Sequence, residues 1–205
     1  MNKRIGIAVF VLCFMVLVGC TEVQNMYTAS SLSDQIQKEL DKAESQMKNQ
    51  IEIDKILSVD PNITDQKKIA QAITDFQRLD TKLIPPFENT IKQVKANLKT
   101  LEKYMEKIPS KEIKQLGNET IQSFGKMLDA KLAYIAEVKK SSELQKSYFQ
   151  KLQKGEIPTD AEFDQLNQDI TVYNDVFQKM NNSIDAFNSQ WEKLVQKAGQ
   201  ELEKP

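Results

Sequence analysis

The sequence predicts an all-α chain, an elongated antiparallel three- to four-helix bundle with coiled-coil-like heptad seams. Three observations carry this. No segment alternates apolar and polar residues with a period of two, as a half-buried strand would. Apolar residues recur instead in alternating steps of three and four, the period of a helical seam. Turn signals are few and widely spaced: Asp60-Pro61-Asn62, Pro109-Ser110 and Gly155-Glu156-Ile157-Pro158. They divide the chain into helices near residues 33–57, 64–107, 111–153 and 160–203.

Each start carries a capping candidate, Ser33, Thr64, Ser110 and Thr159, whose hydroxyl can accept a bond from the unpaired N–H groups of a first turn. Thr159 followed by Glu162 completes a capping box. The first helix carries Leu32, Ile36, Leu40, Ala43, Met47 and Ile51 and is the shortest. The second carries Ile69, Ile73, Phe76 and Leu83, then Ile91, Val94, Leu98, Leu101, Met105 and Ile108. Pro85 and Pro86 stand between those stretches, where missing N–H donors and ring clashes predict a kink or break. The heptad phase slips by one four-residue step at the same place, Leu83 to Phe87 to Ile91. This marks Pro85 and Pro86 as a hinge or a fixed bend. Asp80 is the one carboxylate at an expected core position.

The third helix follows a looser pattern through Ile113, Leu116, Ile121, Phe124, Leu128, Leu132, Ile135, Val138, Leu144, Phe149 and Leu152. The last is the strictest: Phe163, Leu166, Ile170, Tyr173, Phe177, Met180, Ile184, Phe187, Trp191, Leu194 and Ala198 keep the steps without a miss. Short turns between such helices make them antiparallel neighbours. Charge supports that register. Lys139, Lys140, Lys146, Lys151 and Lys154 precede one turn, and Asp160, Glu162, Asp164, Asp169 and Asp175 follow it, so opposite signs lie side by side and also suit the helix dipoles.

Composition excludes several functions. The 205 residues include 28 Lys+Arg, 29 Asp+Glu, six Gly and no His. Without imidazole there is no Ser-His-Asp or Cys-His machinery, no His metal site and no His-based pH switch. No Gly-rich phosphate loop occurs, and neither a cofactor nor a metal is expected. A formal net charge of −1, with Arg4 and Arg78 the only arginines, argues against nucleic acid as partner.

The amino terminus reads as a processing segment. Lys3 and Arg4 precede an uncharged run from Ile5 to Val18. At 1.5 Å per residue that run spans roughly 21 Å, short of the ~30 Å hydrocarbon core. It ends in Leu17-Val18-Gly19-Cys20, which resembles a bacterial lipobox. The resemblance implies cleavage after Gly19 and a diacylglyceryl thioether on Cys20; the alternative is an ordinary secretory signal with an incidental Cys. Cys13 leaves with the signal, so the mature chain has no disulfide. The expected organisation is a signal peptide at 1–19, a lipidated Cys and tether at 20–31, and a single helical-bundle domain at 32–205. The expected location is the extracellular face of the cell membrane.

Two polar arrays are candidate partner-binding surfaces. Asn167, Asn174, Asn181 and Asn188 recur every seven residues, each directly after a seam residue. They read either as hydrogen bonds to a neighbouring helix or as a polar edge for an extended glycan. Lys92, Lys95, Lys99, Lys103 and Lys107 follow one face of the second helix, continued by Lys111 and Lys114. They read either as a solvated face or as a contact for phosphate-rich polymer or lipid headgroups. Tyr104, Tyr134 and Tyr148 lie beside the seams and are the surface aromatic candidates.

The lipobox at Cys20, the Lys/Glu/Gln-rich helical body and the Tyr173-Asn174 … Phe187-Asn188 heptads are similar to the cell-wall-binding lipoproteins of Gram-positive bacteria. That resemblance implies a non-enzymatic, membrane-anchored surface lipoprotein whose partner is peptidoglycan, teichoic acid or a protein; it transfers no binding residues. The alternative is a structural or assembly spacer that pairs with another helical protein. An enzyme on such a body would need a polar cluster buried in a seam.

Overall fold

The computed structural model describes residues 50–106 and 111–202. Every regular element among them is helical: α1 (50–57), α2 (Gln66–Arg78), a π-helical turn (Leu79–Leu83), α3 (Ile84–Met105), α4 (Lys111–Gln153) and α5 (Asp160–Leu202). The all-helical reading holds, and three of the four predicted segments match to within about two residues. Ser33, Pro109, Ser110, Ile108 and the first helix before residue 50 lie outside the described residues.

Local chemistry explains the ends. Between α1 and α2, the N–H of Asn62 donates to Asp60 Oδ1 at 2.9 Å. The cap of α2 is Asp65 rather than the expected Thr64: its Oδ1 accepts from the N–H groups of Lys67 (2.8 Å) and Lys68 (3.3 Å). A carboxylate satisfies both donors and also meets the positive end of the helix dipole. At the end of α4 the N–H of Glu156 reaches Lys151 O (3.0 Å) and that of Gly155 reaches Leu152 O (3.1 Å). This double closure requires a left-handed residue, and Gly155 supplies it with φ 74°. The capping box of α5 forms reciprocally, Thr159 N–H to Glu162 Oε2 at 3.0 Å and Glu162 N–H to Thr159 Oγ1 at 3.3 Å.

The helix does not break at Pro85 and Pro86. Its backbone stays right-handed through Arg78, Leu79 and Ile84, and the irregularity lies upstream, where the N–H of Ile84 reaches back five residues to Leu79 O. The extra residue in that turn absorbs the phase slip. Leu79, Leu83, Ile84, Phe87 and Ile91 are consequently all buried. Both prolines follow directly on this turn, as the second and third residues of α3, so their missing donors are accommodated at an irregular turn rather than at a break. Thr90 Oγ1 donates to Pro86 O at 2.9 Å.

The chain forms two compact units. The four-helix unit comprises, among the described residues, 50–91 and 129–181. Its core includes Ile53, Ile69, Phe76, Leu79, Ile135, Val138, Phe149 and Met180. Phe76 of α2 stacks on Phe149 of α4 with centroids 5.9 Å apart. The three-helix unit comprises 92–106, 111–128 and 182–202. Val94, Leu101, Met105, Ile113, Ile121, Phe124, Leu128 and Leu194 are buried there. Phe124 stacks on Phe187 at 4.9 Å. Gly117 lets Met105 pack directly on the α4 backbone, since a Cβ there would lie 2.0 Å from Met105 Cε.

Two expected seam residues face outward: Ile51 is 73 % exposed and Ile170 is 43 % exposed. In α1 the inward residues are Ile53, Ile56 and Leu57. In α5, Leu166, Asp169 and Met180 are buried and Tyr173 is half-buried. At ~100° per residue Ile170 sits roughly 70° to one side of their direction. The helix is rotated away from its apolar seam because Asp169 is drawn inward by polar partners on α4.

Candidate functional site

Those partners belong to a polar layer in the four-helix unit, buried at Ser141, Ser142 and Asp169 and half-buried at Asp80 and Asp54. Ser141 and Ser142, adjacent on α4 and both buried, face different helices. Ser141 Oγ donates to Asp169 Oδ2 of α5 at 2.5 Å. Ser142 Oγ donates to Asp80 Oδ1 in the π turn at 2.7 Å. The second oxygen of each carboxylate takes a lysine of α4: Lys140 reaches Asp169 Oδ1 at 3.0 Å, and Lys146 bonds Asp80 Oδ2. Lys140 also reaches Glu137 at 2.8 Å. Its ammonium is held above the ordinary lysine value by the bond to Glu137 and then by that to Asp169. Serine and lysine together thus compensate the cost of burying a carboxylate.

A third carboxylate ties α1 to the same unit. Asp54 Oδ1 accepts from Tyr134 (2.9 Å) and from Tyr173 (2.5 Å), and the two phenol oxygens are 3.1 Å apart. Tyr134 was expected as a surface aromatic. It has no exposed area, because its position on α4 faces α1 and α5 at once. Burial, and next the neighbouring Tyr173, pushes the Tyr134 phenol well above the ordinary tyrosine value. Tyr173 is raised by burial and then by its bond to Asp54. Phe177 packs on both rings, with centroids 5.9 and 6.3 Å away. Gln145 Nε2 donates to Leu57 O at 3.2 Å, and Arg78 pairs with Glu52.

The layer is the polar cluster that an enzyme on this body would need, but its groups are committed to one another. Each carboxylate is bonded to hydroxyl or ammonium donors, which fixes the register of α1, α4 and α5. Asp80 was legible as a core carboxylate. Asp54, Ser141, Ser142 and Asp169 were not, although the paired serines fall on heptad positions of α4 that are buried at each repeat from Thr120 and Ile121 onward to the serines. The charge register expected around the α4–α5 turn forms through Lys151–Glu162 and Lys140–Asp169.

Of the asparagines, Asn167, Asn174 and Asn181 lie in the four-helix unit, the first two exposed and the third half-buried; Asn188 is half-buried in the three-helix unit. A seven-residue spacing drifts ~20° per heptad around a straight helix, which explains the progression toward the packed side. Among the described residues none of these amides hydrogen-bonds to a neighbouring helix; the α4–α5 bonds run through Ser141, Lys140, Tyr134 and Thr120 instead. Lys92, Lys95, Lys99 and Lys103 are exposed on α3 in the three-helix unit, opposite buried Val94, Leu101 and Met105. Lys114 turns back to cap Glu106 O at 2.9 Å. Cys20 and Lys107 lie outside the described residues. No helix among the described residues is long and apolar enough to cross a membrane. No cluster of three metal-binding side chains occurs among them either.

Compared with protein families, residues 21–204 match the YkyA family, described as "Putative cell-wall binding lipoprotein". The chain belongs to that family. The match covers both units and begins one residue after Cys20. A lipoprotein is anchored at a membrane surface, and the family description names binding rather than a reaction. No curated protein and no solved structure matches the chain.

Proposed function

We propose that this family member is a non-enzymatic surface lipoprotein of a Gram-positive cell, held to the outer face of the membrane by acyl chains on Cys20, whose helical body binds wall polymer. Two acyl chains satisfy the condition for stable anchoring. The observation that carries the binding reading is the outward edge of α5, where Asn167 and Asn174 are exposed and, among the described residues, their side-chain amides have no hydrogen-bond partner. The carboxylates of the polar layer, Asp169 buried and Asp54 and Asp80 half-buried, are by contrast engaged in holding helices together and support a body without catalytic chemistry.

The test uses the lipidated chain in detergent micelles, mixed with purified sacculi and pelleted across a salt series, beside sacculi stripped of teichoic acid. Pelleting well above a micelle-only control supports the reading. Absence of pelleting at every salt, together with concentration-dependent oligomers, overturns it in favour of a spacer that pairs with another helical protein. Mass spectrometry of the amino-terminal peptide and membrane release by Cys20→Ala check the anchor separately.

A further inference from the structure

We infer that the outward edge of α5 in the four-helix unit is a recognition strip for an uncharged, linear β-1,4-linked acetamido-sugar chain. The inference rests on the wall-binding reading and names the polymer. Along this edge amide and apolar side chains alternate, Phe163, Asn167, Ile170, Asn174, Phe177 and Asn181, at steps of four and three. Ile170 is 43 % exposed between two exposed asparagines, and Phe163 and Phe177 are half-buried.

Three features select the ligand. The first is spacing. Seven residues of α-helix rise ~10.5 Å, close to the length of one disaccharide in an extended β-1,4-linked chain. Asn167, Asn174 and Asn181 therefore meet chemically equivalent groups of successive disaccharides. The second is bonding capacity. An amide offers both a donor and an acceptor, which suits hydroxyl and acetamido groups, and Ile170 presents an apolar patch to the C–H face of a pyranose. The third is charge. Asp160, Asp164 and Asp175 are exposed on the neighbouring face, and no base occurs from Asp160 to Gln178. Acids beside the strip repel a polyphosphate chain and leave a neutral glycan unaffected. The drift of the heptad toward the packed side limits the strip to about two disaccharides.

The test measures binding of N-acetylglucosamine oligomers of two, four and six β-1,4-linked sugars to the lipidated chain in micelles, together with sacculi pelleting. The wild type is compared with Asn167→Ala/Asn174→Ala and with Lys99→Gln/Lys103→Gln. Both pairs are exposed, and unfolding curves matched to wild type confirm intact folds. Expected are affinity that rises from two to four sugars and levels off, a loss of about tenfold in the asparagine variant, and no change in the lysine variant. Sacculi binding that survives the asparagine changes, or that disappears with the lysine changes or with teichoic-acid stripping, overturns the glycan strip and leaves wall binding standing. Failure of the wild type to pellet overturns both.

Discussion

Helices α4 and α5 are each 43 residues long and neighbour one another in both units, yet they are packed differently. In the four-helix unit α4 touches α1 through Tyr134 and Gln145, α2 through Phe149, and α5 through Ser141. In the three-helix unit it meets α3 at Gly117 and α5 at Phe124. So many neighbours bury three positions of each heptad from Thr120 to Gln145: Thr120, Met127, Tyr134 and Ser141; Ile121, Leu128, Ile135 and Ser142; Phe124, Lys131, Val138 and Gln145. For α5 the described side-chain contacts are with α4 and, through Tyr173, with α1. Most of its seam, from Phe163 to Trp191, is only half-buried. A helix enclosed on several sides can carry polar residues at core positions because a partner lies within reach; a helix with fewer neighbours spends its apolar stripe on them and leaves an edge for solvent or ligand.

The largest expected effect tests this contrast directly. Phe149→Ala removes a ring that is 1 % exposed and stacked on Phe76; it should cost about 3–5 kcal/mol in urea unfolding. Ile170→Ala on the α5 seam should cost less than about 1 kcal/mol. Comparable losses at the two sites would break the contrast.

Asp169 gives the next largest effect. Replacing it with Ala strands the buried Ser141 hydroxyl and removes one of the two partners of Lys140. The expected cost is about 2–3 kcal/mol, against less than about 0.5 kcal/mol for exposed Asp164→Ala. Combining Asp169→Leu with Ser141→Ala should recover much of the loss, since both polar groups then disappear together. Without that recovery, Asp169 would matter for more than its pairing with Ser141.

The same contrast explains what could be read from sequence. Turn chemistry and helix ends were legible because Gly155, Thr159 with Glu162, and Asp60 act on their own neighbours in the chain. The Thr64 cap was off by one residue because Asp65 offers the stronger acceptor. The apolar steps of α5 are the strictest in the sequence and those of α4 the looser, but regularity of the pattern is not depth of burial. Helix α4 is the more deeply buried of the two, since Gly117, Lys131, Ser141, Ser142 and Gln145 interrupt its hydrophobic pattern while occupying buried positions. Asp54 and Asp169 stayed hidden for a related reason: a charged residue becomes a core residue only through partners far away in sequence. The candidate Asn edge was visible in the heptad spacing, but its exposure depends on the rotation that Asp169 imposes.

A smaller effect sharpens the comparison at the point where α1, α4 and α5 meet. The ordinary tyrosine value is 10.0, and Tyr134 and Tyr173 are both raised above it, so the folded chain keeps both phenols protonated where the unfolded chain would ionise them. Their contribution to stability is full below about pH 10 and is lost progressively as pH rises above it. Urea midpoints should fall from that pH upward, while absorbance near 295 nm shows these phenols resisting ionisation until the chain unfolds. Tyr173→Phe should flatten part of the decline. An unchanged slope would mean that the phenols are not enclosed by α5 as the hydrogen bonds to Asp54 require.

The smallest effect lies at the exposed turn joining the two helices. Glu162 of α5 bonds Lys151 of α4 and the Thr159 cap, and its pKa is lowered first by Lys151 and then by the Thr159 N–H. A depressed carboxylate stabilises above its unfolded value and loses that contribution as pH falls through the folded one. Solvent and salt screen so exposed a pair, so global stability should hardly move. The readout is therefore local: the Glu162 side-chain resonance should titrate below the ordinary glutamate value of 4.5, and the protection factors of the Glu162 and Phe163 amides, which correct for the intrinsic pH dependence of exchange, should fall as it protonates. Glu162→Gln should remove the pH dependence of that protection while keeping the bond to the Thr159 N–H, because an amide oxygen still accepts there. Protection factors that stay constant with pH in the unmodified chain would place the hold of this end of α5 in its apolar contacts alone, and would extend to its first turn the sparser packing that distinguishes the helix from α4.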